Sequence, residues 1–515
     1  MAWNEGYVVQ EAYTSGYYRK QSPVYLSAAC ALNGFEPVDT RKPFTYFELG
    51  SGQGFTSNVI AASNPHAQFF AADFMPEHVA TGRELASAAR LRNVTHLEKS
   101  FAQLAAGEVD IPDLDFITMH GVYSWITAGN RRHIIDFIAR YLKPGGIVYV
   151  SYNALPGWSV AAPLQRLILE NARARPGCLD AQVAGGKDLI DRLSRAEASY
   201  FSSNHANPIL HHRLESWARE KPIYLAHEYL NESWQALYHA DVVRDMAEAK
   251  LEFAVSAELS TNVDPSELPP AQREIIESVD DPVMRETLID YMQNTAFRSD
   301  IFIKGARRMS AARRRQWWGQ IGVALTVPRR HATLGELVKD ANATGGFIGP
   351  ILDLLERGPM SVLDIVERSG CALKTIFNMI TLLEWHSQGA PFLLNPDPPR
   401  KAASWRLNTE IALDAMLNDR YRVLASPVLG TGVAASPLQR LVYHALRHDP
   451  YSVNIEAIAH WSCQALVDQR SLQDAPAVAG TESLPVRDAE LLEIRRQVGE
   501  ILALHQPIWQ QLQMI

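Results

Sequence analysis

The sequence predicts an α/β chain organised around a doubly wound parallel sheet, and three observations predict it. Five short apolar runs between Phe44 and Asn153 alternate with stretches of helical periodicity, the pattern of parallel strands joined by crossover helices. A glycine-rich turn, Gly50-Ser51-Gly52-Gln53-Gly54, follows the first run and opens a helix. An acidic residue, Asp73, ends the second run about twenty residues farther on.

The five runs are FTYFELG from Phe44, AQFFAAD from Ala67, VTHLEKS from Val94, LDFITMHG from Leu114 and GIVYVSYN from Gly146. Pro76 and Glu77 open a helix expected through Ala88; Asn130 is expected to cap another, with Ile134, Ile135, Ile138 and Leu142 on one face. Lys143-Pro144-Gly145-Gly146 should stop that helix and turn the chain into the fifth strand. From Pro163 to about Lys250 the pattern is helical. FAVSAEL from Phe253 and FRSDIFIKG from Phe297 then read as the closing strands of a seven-stranded sheet, separated by an acidic helical insert from Pro265 to Gln293.

Beyond Gly305 a helical region around Leu334 to Arg357 precedes two helices between Ser361 and Trp385, turned at Ser369-Gly370, and an extended piece, PFLLNPDPP. This order suggests a winged-helix-like unit in a mostly helical C-terminal region. The tail from Leu438 to Ile515 reads as helical around a polar loop from Asp474 to Pro485. The expected division is an N-terminal lid segment (1–41), the sheet core (42–162), a helical cover with the closing strands (163–305) and the C-terminal region (306–515).

At 515 residues the chain exceeds one ordinary core, and 47% apolar with 21% charged residues is a globular balance. A net charge of −8 argues against broad phosphate neutralisation; the densest basic stretch, Arg307 to Arg315, reads first as a solvated helix face or linker. Cys30, Cys178, Cys371 and Cys463 lie far apart without metal-ligand spacing, so no metal is expected and a reducing compartment is. With no apolar run of spanning length and no signal-like N-terminus, a cytoplasmic protein is the expectation.

The glycine turn lets the backbone pass close to a ligand beside a helix N-terminus. Its spacing, ExGxGxG with Glu48 leading, is not that of a dinucleotide fingerprint. Taken with Asp73, placed to accept ribose hydroxyls, it reads as an S-adenosylmethionine site made of Glu48, Gly50, Ser51, Gly52, Gly54, Asp73 and Phe74. Glu48 would face the methionyl amine, Ser100 and Phe101 the adenine, and His120 and Gly121 the end of the fourth strand. The plainer readings are a strand-to-helix turn for the glycines and a helix N-cap for Asp73.

YTSGYY with SPVYL, FELGSGQG, AADFMPEHV, DFITMHGVYSWIT and GGIVYVSYNALPGW together resemble the bacterial class I methyltransferases that carry a methyltransferase regulatory domain. Within that family the chain is similar to the lysine methyltransferases that modify outer-membrane proteins of rickettsial bacteria; SPVLGTGV from Ser426 also looks like theirs. The likeness is dense over residues 7 to 160 and thins beyond. It implies a Rossmann-like seven-stranded methyltransferase fold, S-adenosylmethionine as donor and a protein lysine as acceptor. Ser51 stands where the family often has an aromatic residue, and the regions after Pro163 match only loosely, which leaves the acceptor open.

Methyl transfer from a sulfonium needs alignment more than acid or base chemistry. A lysine acceptor must be neutral, which apolar and aromatic walls favour, and ring faces attract the methylammonium that forms. Tyr17, Tyr18, Tyr123, Trp125, Tyr152, Asn153 and Trp158 are the acceptor-pocket candidates, with His120 a candidate base; each aromatic could instead be core. HGVYSW after the fourth strand is not the Asn/Asp-Pro-Pro-Tyr motif of planar-nitrogen methylation. His227, Glu228 and Tyr229 could cover the pocket; HEYL lacks the second histidine of a zinc site, and Glu228 could meet an acceptor amine.

The expected activity is therefore protein-lysine N-methylation, with small-molecule or glycan methylation as the second enzyme reading. A winged-helix nucleic-acid regulator is the reading from another class, but only Lys374 and Arg368 are basic near TIFNMITLLEW. The partners expected are a protein acceptor, no membrane span and no nucleic acid, with a homodimer among the open oligomeric states.

Overall fold

In the computed structural model, β1 (Thr45–Leu49), β2 (Gln68–Asp73), β3 (Val94–Glu98), β4 (Leu114–Met119), β5 (Leu142–Asn153), β6 (Leu251–Ser256) and β7 (Phe297–Lys304) make one sheet, in the order β3-β2-β1-β4-β5-β7-β6. The structure describes residues 15–175, 177–203, 210, 212, 214–215, 222–262, 264–334, 345–395, 401–448, 454–474 and 488–515. The first 14 residues of the expected lid segment, residues 335–344 of the expected helix, 396–399 of the Pro-rich piece and most of the polar loop after Asp474 lie outside them.

β1 to β5 are parallel, while β7 runs antiparallel to β5 and β6 antiparallel to β7. The order reverses at β1, flanked by β2 and β4. In open α/β sheets that switch point leaves a crevice beyond the strand C-termini. β1, β2 and β4 are buried on both faces, as near-continuous apolar runs require, while the edge strands β3 and β6 are partly exposed.

α1 (Pro23–Leu32) is buried along its whole length. α2 (Phe55–Ser63) follows the glycine turn, and α3 (Pro76–Ala88) starts and stops where expected. α4 (Phe101–Ala106) opens on a capping box between Ser100 and Gln103. α5 (Ala128–Tyr141) corrects the expected cap: Thr127, not Asn130, caps it, its side chain accepting from the Asn130 N–H. Leu142 is extended and belongs to β5, so the helix ends one residue before its expected apolar face does; the β4–β5 register shifts between Leu114 and Phe116.

The acidic insert is two helices, Pro270–Glu277 and Pro282–Gln293. Arg298 on β7 fastens the second one through Glu286 at 2.9 Å and Asp290 at 2.7 Å. Arg307–Arg315 leads into the helix Ala311–Trp318, where Arg313 pairs with Glu36 and Arg314 lies over the Trp318 ring.

The C-terminal region is less uniformly helical than expected. β8 (Ile321–Leu325), β9 (Met360–Ser361) and β10 (Gly389–Leu393) form a three-stranded sheet around the helices Val362–Ser369 and Leu373–Trp385, a winged-helix-like arrangement. Sequence signals missed β8, whose IGVAL run lies behind the basic stretch, and β9, as well as the two strands of the hairpin that follows. Ser426-Pro-Val-Leu-Gly-Thr-Gly-Val is a hairpin between β11 (Val423–Ser426) and β12 (Thr431–Ala434) that packs on α2. The would-be recognition helix buries Ile376, Met379, Ile380 and Leu383, and Lys374 is engaged by Asp264 at 2.9 Å and Glu267 at 3.2 Å. Among the described residues no helix is long and apolar enough to cross a membrane.

Candidate active site

The crevice at the switch point holds a cavity of about 410 Å³, a size ordinary for small-ligand sites. One wall is the glycine turn. Gly50 has φ +66°, and a Cβ there would stand 2.6 Å from Val122 Cγ2; at Gly54, φ +70°, it would stand 2.5 Å from His96 Cε1. Only glycine lets the turn pass between β1 and α2 this closely. Gly52, φ +52°, has nothing within 4 Å of its Cβ position and borders the open cavity.

Asp73 at the end of β2 is 7% exposed. One carboxylate oxygen accepts from the Gly52 N–H at 2.9 Å; the other accepts from the Met75 N–H at 2.9 Å and meets His78 Nδ1 at 3.2 Å. It therefore ties the turn to the second strand, while Met75 is the residue that stands at the N-cap of α3. Glu48 at the end of β1 accepts from Gln21 Nε2 at 2.9 Å and from the Ser57 hydroxyl. Burial pushes its carboxyl up to about 7, with the Asp73 charge adding to the shift.

Ser51, Gly121, Phe74, Ser100 and Phe101 also line the cavity. Ser100 has its hydroxyl committed to the first turn of α4, accepting from the Gln103 N–H. His120, just past β4, stacks on Tyr18 with centroids 3.9 Å apart, and its Nδ1 lies 2.8 Å from the Tyr149 hydroxyl and 3.1 Å from Ser151 Oγ. Burial, with the Lys20 charge, pushes the ring down to about 3. A group that protonates so reluctantly is a weak base at neutral pH.

Tyr18, Trp125, Asn153, His227 and Glu228 line the remaining wall. Burial raises the Tyr18 phenol, and the Glu48 and Glu228 charges raise it further. Asn153 is 8% exposed, and its amide nitrogen is buried with no hydrogen-bond partner, a demand that a ligand can meet.

Five of the expected pocket aromatics stand elsewhere. Tyr17 points away, its hydroxyl accepting from the Gly432 N–H at 2.6 Å and bonding Thr431 of the C-terminal hairpin. The Tyr123 hydroxyl donates to Asp245 at 2.8 Å, beneath α5 and the helix His239–Glu248. Tyr152 donates to Asp300 at 2.6 Å within a buried group that includes His239 and Arg298; burial raises that carboxyl, but the Arg298 charge and the His239 hydrogen bond hold it below the usual range. Trp158 packs on Trp234 at 4.7 Å, and Tyr229 joins the core of the helical cover. For Tyr152 strand alternation turns the ring away from the cavity, and for Tyr229 the apolar side of its helix does.

Phe297 was missed as a site residue. It begins β7, is paired with Asn153 in register, lies edge-on to His120 at 6.0 Å and is 50% exposed on the cavity. Only its place as the first residue of a closing strand could have signalled it. Gly16, Thr127, Asn130 and Ser233 also line the cavity.

The chain matches two family models, "Methyltransferase domain" over residues 47–148 and "Predicted methyltransferase regulatory domain" over residues 221–304. It is 35% identical over 448 residues to the uncharacterized protein sll1526 of Synechocystis sp., covering 86% of this chain and 88% of that one. It is 24% identical over 295 residues to the uncharacterized protein RP789 of Rickettsia prowazekii, 56% of this chain and 51% of that one. Among solved structures it is similar to PKMT2 from Rickettsia typhi in complex with AdoHcy, with a TM-score of 0.68 at 16% identity over 95% of this chain and 98% of that one. The acidic and glycine-built cavity at the switch point fits the donor those models imply. The chain belongs to the class I S-adenosylmethionine-dependent methyltransferases that carry a methyltransferase regulatory domain.

Proposed function

We propose that this methyltransferase transfers its methyl group to a lysine side chain of a protein acceptor. The observation that carries the reading is the make-up of the cavity wall opposite the glycine turn: Tyr18, His120, Trp125 and Phe297 beside the Glu228 carboxylate. A carboxylate draws in an ammonium group, and aromatic walls then favour its neutral form and attract the methylammonium product. The resemblance to the rickettsial lysine methyltransferases supports the same acceptor class.

In this reading Asp73 takes the ribose hydroxyls, Glu48 the methionyl ammonium, and Ser100 and Phe101 border the adenine. The bound sulfonium supplies an activated methyl whose sulfur departs as a neutral thioether. Tyr18, stacked on His120, confines the amine to a line toward that methyl, and Glu228 holds its protons until one is lost to water. His120 stays neutral throughout.

The test is incubation of the protein with radiolabelled S-adenosylmethionine and a cell lysate, separated into protein, small-molecule and nucleic-acid fractions. Label on protein, located on lysine by peptide mass spectrometry, is the expected result. Label only among small molecules or glycans would replace the acceptor class, and label in nucleic acid would overturn it outright.

A further inference from the structure

Among the described residues, the cavity lining ends at Phe297; no side chain from the C-terminal region reaches it. That region nevertheless grips the segment that closes the cavity. Ser15, Gly16 and Tyr18 line the cavity, and Gln21 donates to Glu48. The residues between them face the other way. Tyr17 bonds Thr431 and Gly432 of the hairpin; Ser22 Oγ donates to the Gly430 carbonyl at 3.0 Å. Arg19 donates to the Glu384 carboxylate at 3.0 Å, to the Glu384 carbonyl at 3.1 Å and to the Gly389 carbonyl at 3.4 Å.

Glu384 is 2% exposed and belongs to the helix Leu373–Trp385, whose C-terminal turn is where a cation is favoured. An ionised carboxylate this buried is costly without its partner, so the pair is strongly specified once formed. Lys20 completes the clamp with Glu258, just past β6.

We propose that Arg19 is a positioning residue for methyl-donor binding: by docking residues 15–22 on the winged-helix-like unit and the hairpin, it sets Tyr18 and Gln21 against His120 and Glu48. The C-terminal region thereby serves the reaction without touching the reactants. The inference rests on the assignment of the cavity to the donor and not on the identity of the acceptor.

Its test is calorimetric binding of S-adenosylhomocysteine to the full chain, with thermal unfolding measured alongside. Arg19→Met and Glu384→Gln are each expected to weaken binding at least about tenfold. The double variant should be no weaker than the worse single one, because both remove the same contact. Arg19→Lys should recover part of the affinity, since it keeps the charge. Tyr17→Phe, which removes one hydroxyl, carries the test if an Arg19 variant fails to fold, with weakened binding expected in a chain whose lowered unfolding midpoint still lies well above the assay temperature. Wild-type affinity in Arg19→Met or in that Tyr17 variant, or multiplicative losses in the double variant, would overturn the proposal. If the unaltered chain does not bind S-adenosylhomocysteine, the assignment of the cavity itself fails, and this inference with it.

Discussion

Glu48, the Gly50–Gly54 turn and Asp73 come from one βαβ stretch, whereas Tyr18, Asn153, Glu228 and Phe297 come from four separate stretches and meet only across the cavity. The first wall is largely backbone: turn N–H groups, positive-φ glycines and two strand-end carboxylates. The second is side chains on a loop, two strand ends and a cover helix. A wall of backbone tolerates little substitution but needs few residues to specify it. A wall of side chains from distant segments can change with the acceptor while the donor site stays as it is.

The sharpest way to break this comparison is at Asp73. Asp73→Ala removes a carboxylate that holds the Gly52 and Met75 N–H groups as well as its proposed ribose contact. Binding of S-adenosylhomocysteine should fall by about 100-fold, read by calorimetry, as two or more charge-assisted hydrogen bonds are lost. Glu228→Gln is the counterpart on the other wall. Methylation of the protein acceptor should drop about tenfold while S-adenosylhomocysteine affinity stays within about twofold. Equal losses in both measurements would mean the two walls are not separable.

Glu48 offers a pH test. Its carboxyl titrates near 7 in the free protein because it is buried, above its ordinary 4.5. An acid whose folded value is raised is protonated in the fold, so its ionisation costs stability as pH climbs from about 4.5 to about 7. A bound ammonium favours the ionised form; donor binding should release a proton below pH 7, and affinity should fall as pH drops beneath that value. Glu48→Gln should flatten the profile. The phenols of Tyr18 and Tyr46 titrate above this window and His120 below it, so they leave the profile alone.

The smallest expected effect on catalysis is at Tyr123. Tyr123→Phe loses the bond to Asp245 and should lower stability by about 1–2 kcal/mol in denaturant unfolding. Methyl transfer by the folded enzyme should be unchanged, since the hydroxyl points away from the cavity.

The successes and failures of the sequence reading follow the same division. The Gly50–Gly54 turn and Asp73 were legible because steric demand and topology restrict which residues can stand there. The central strands were legible because burial on both faces writes near-continuous apolar runs, and the start of α3 because Pro76 stands in its first turn. Asn130 was mistaken for a cap because its own N–H, rather than its side chain, takes part in the capping bond with Thr127. Tyr123 and Tyr152 were mistaken for pocket residues because an aromatic near a strand end has the same composition whether it faces a ligand or a carboxylate of a neighbouring element.

By itself the sequence determined the glycine turn and the strand-end carboxylates of the cavity, since local backbone geometry and strand order are consequences of nearby residues. Tertiary structure alone decided the opposite wall and the closing segment. Which rings face the cavity depends on strand alternation and cover-helix packing, and whether residues 15–22 lie over Glu48 depends on Arg19 meeting Glu384, which lies 365 positions away along the chain. Contacts of that separation are set by the packing of whole units, and no local pattern records them.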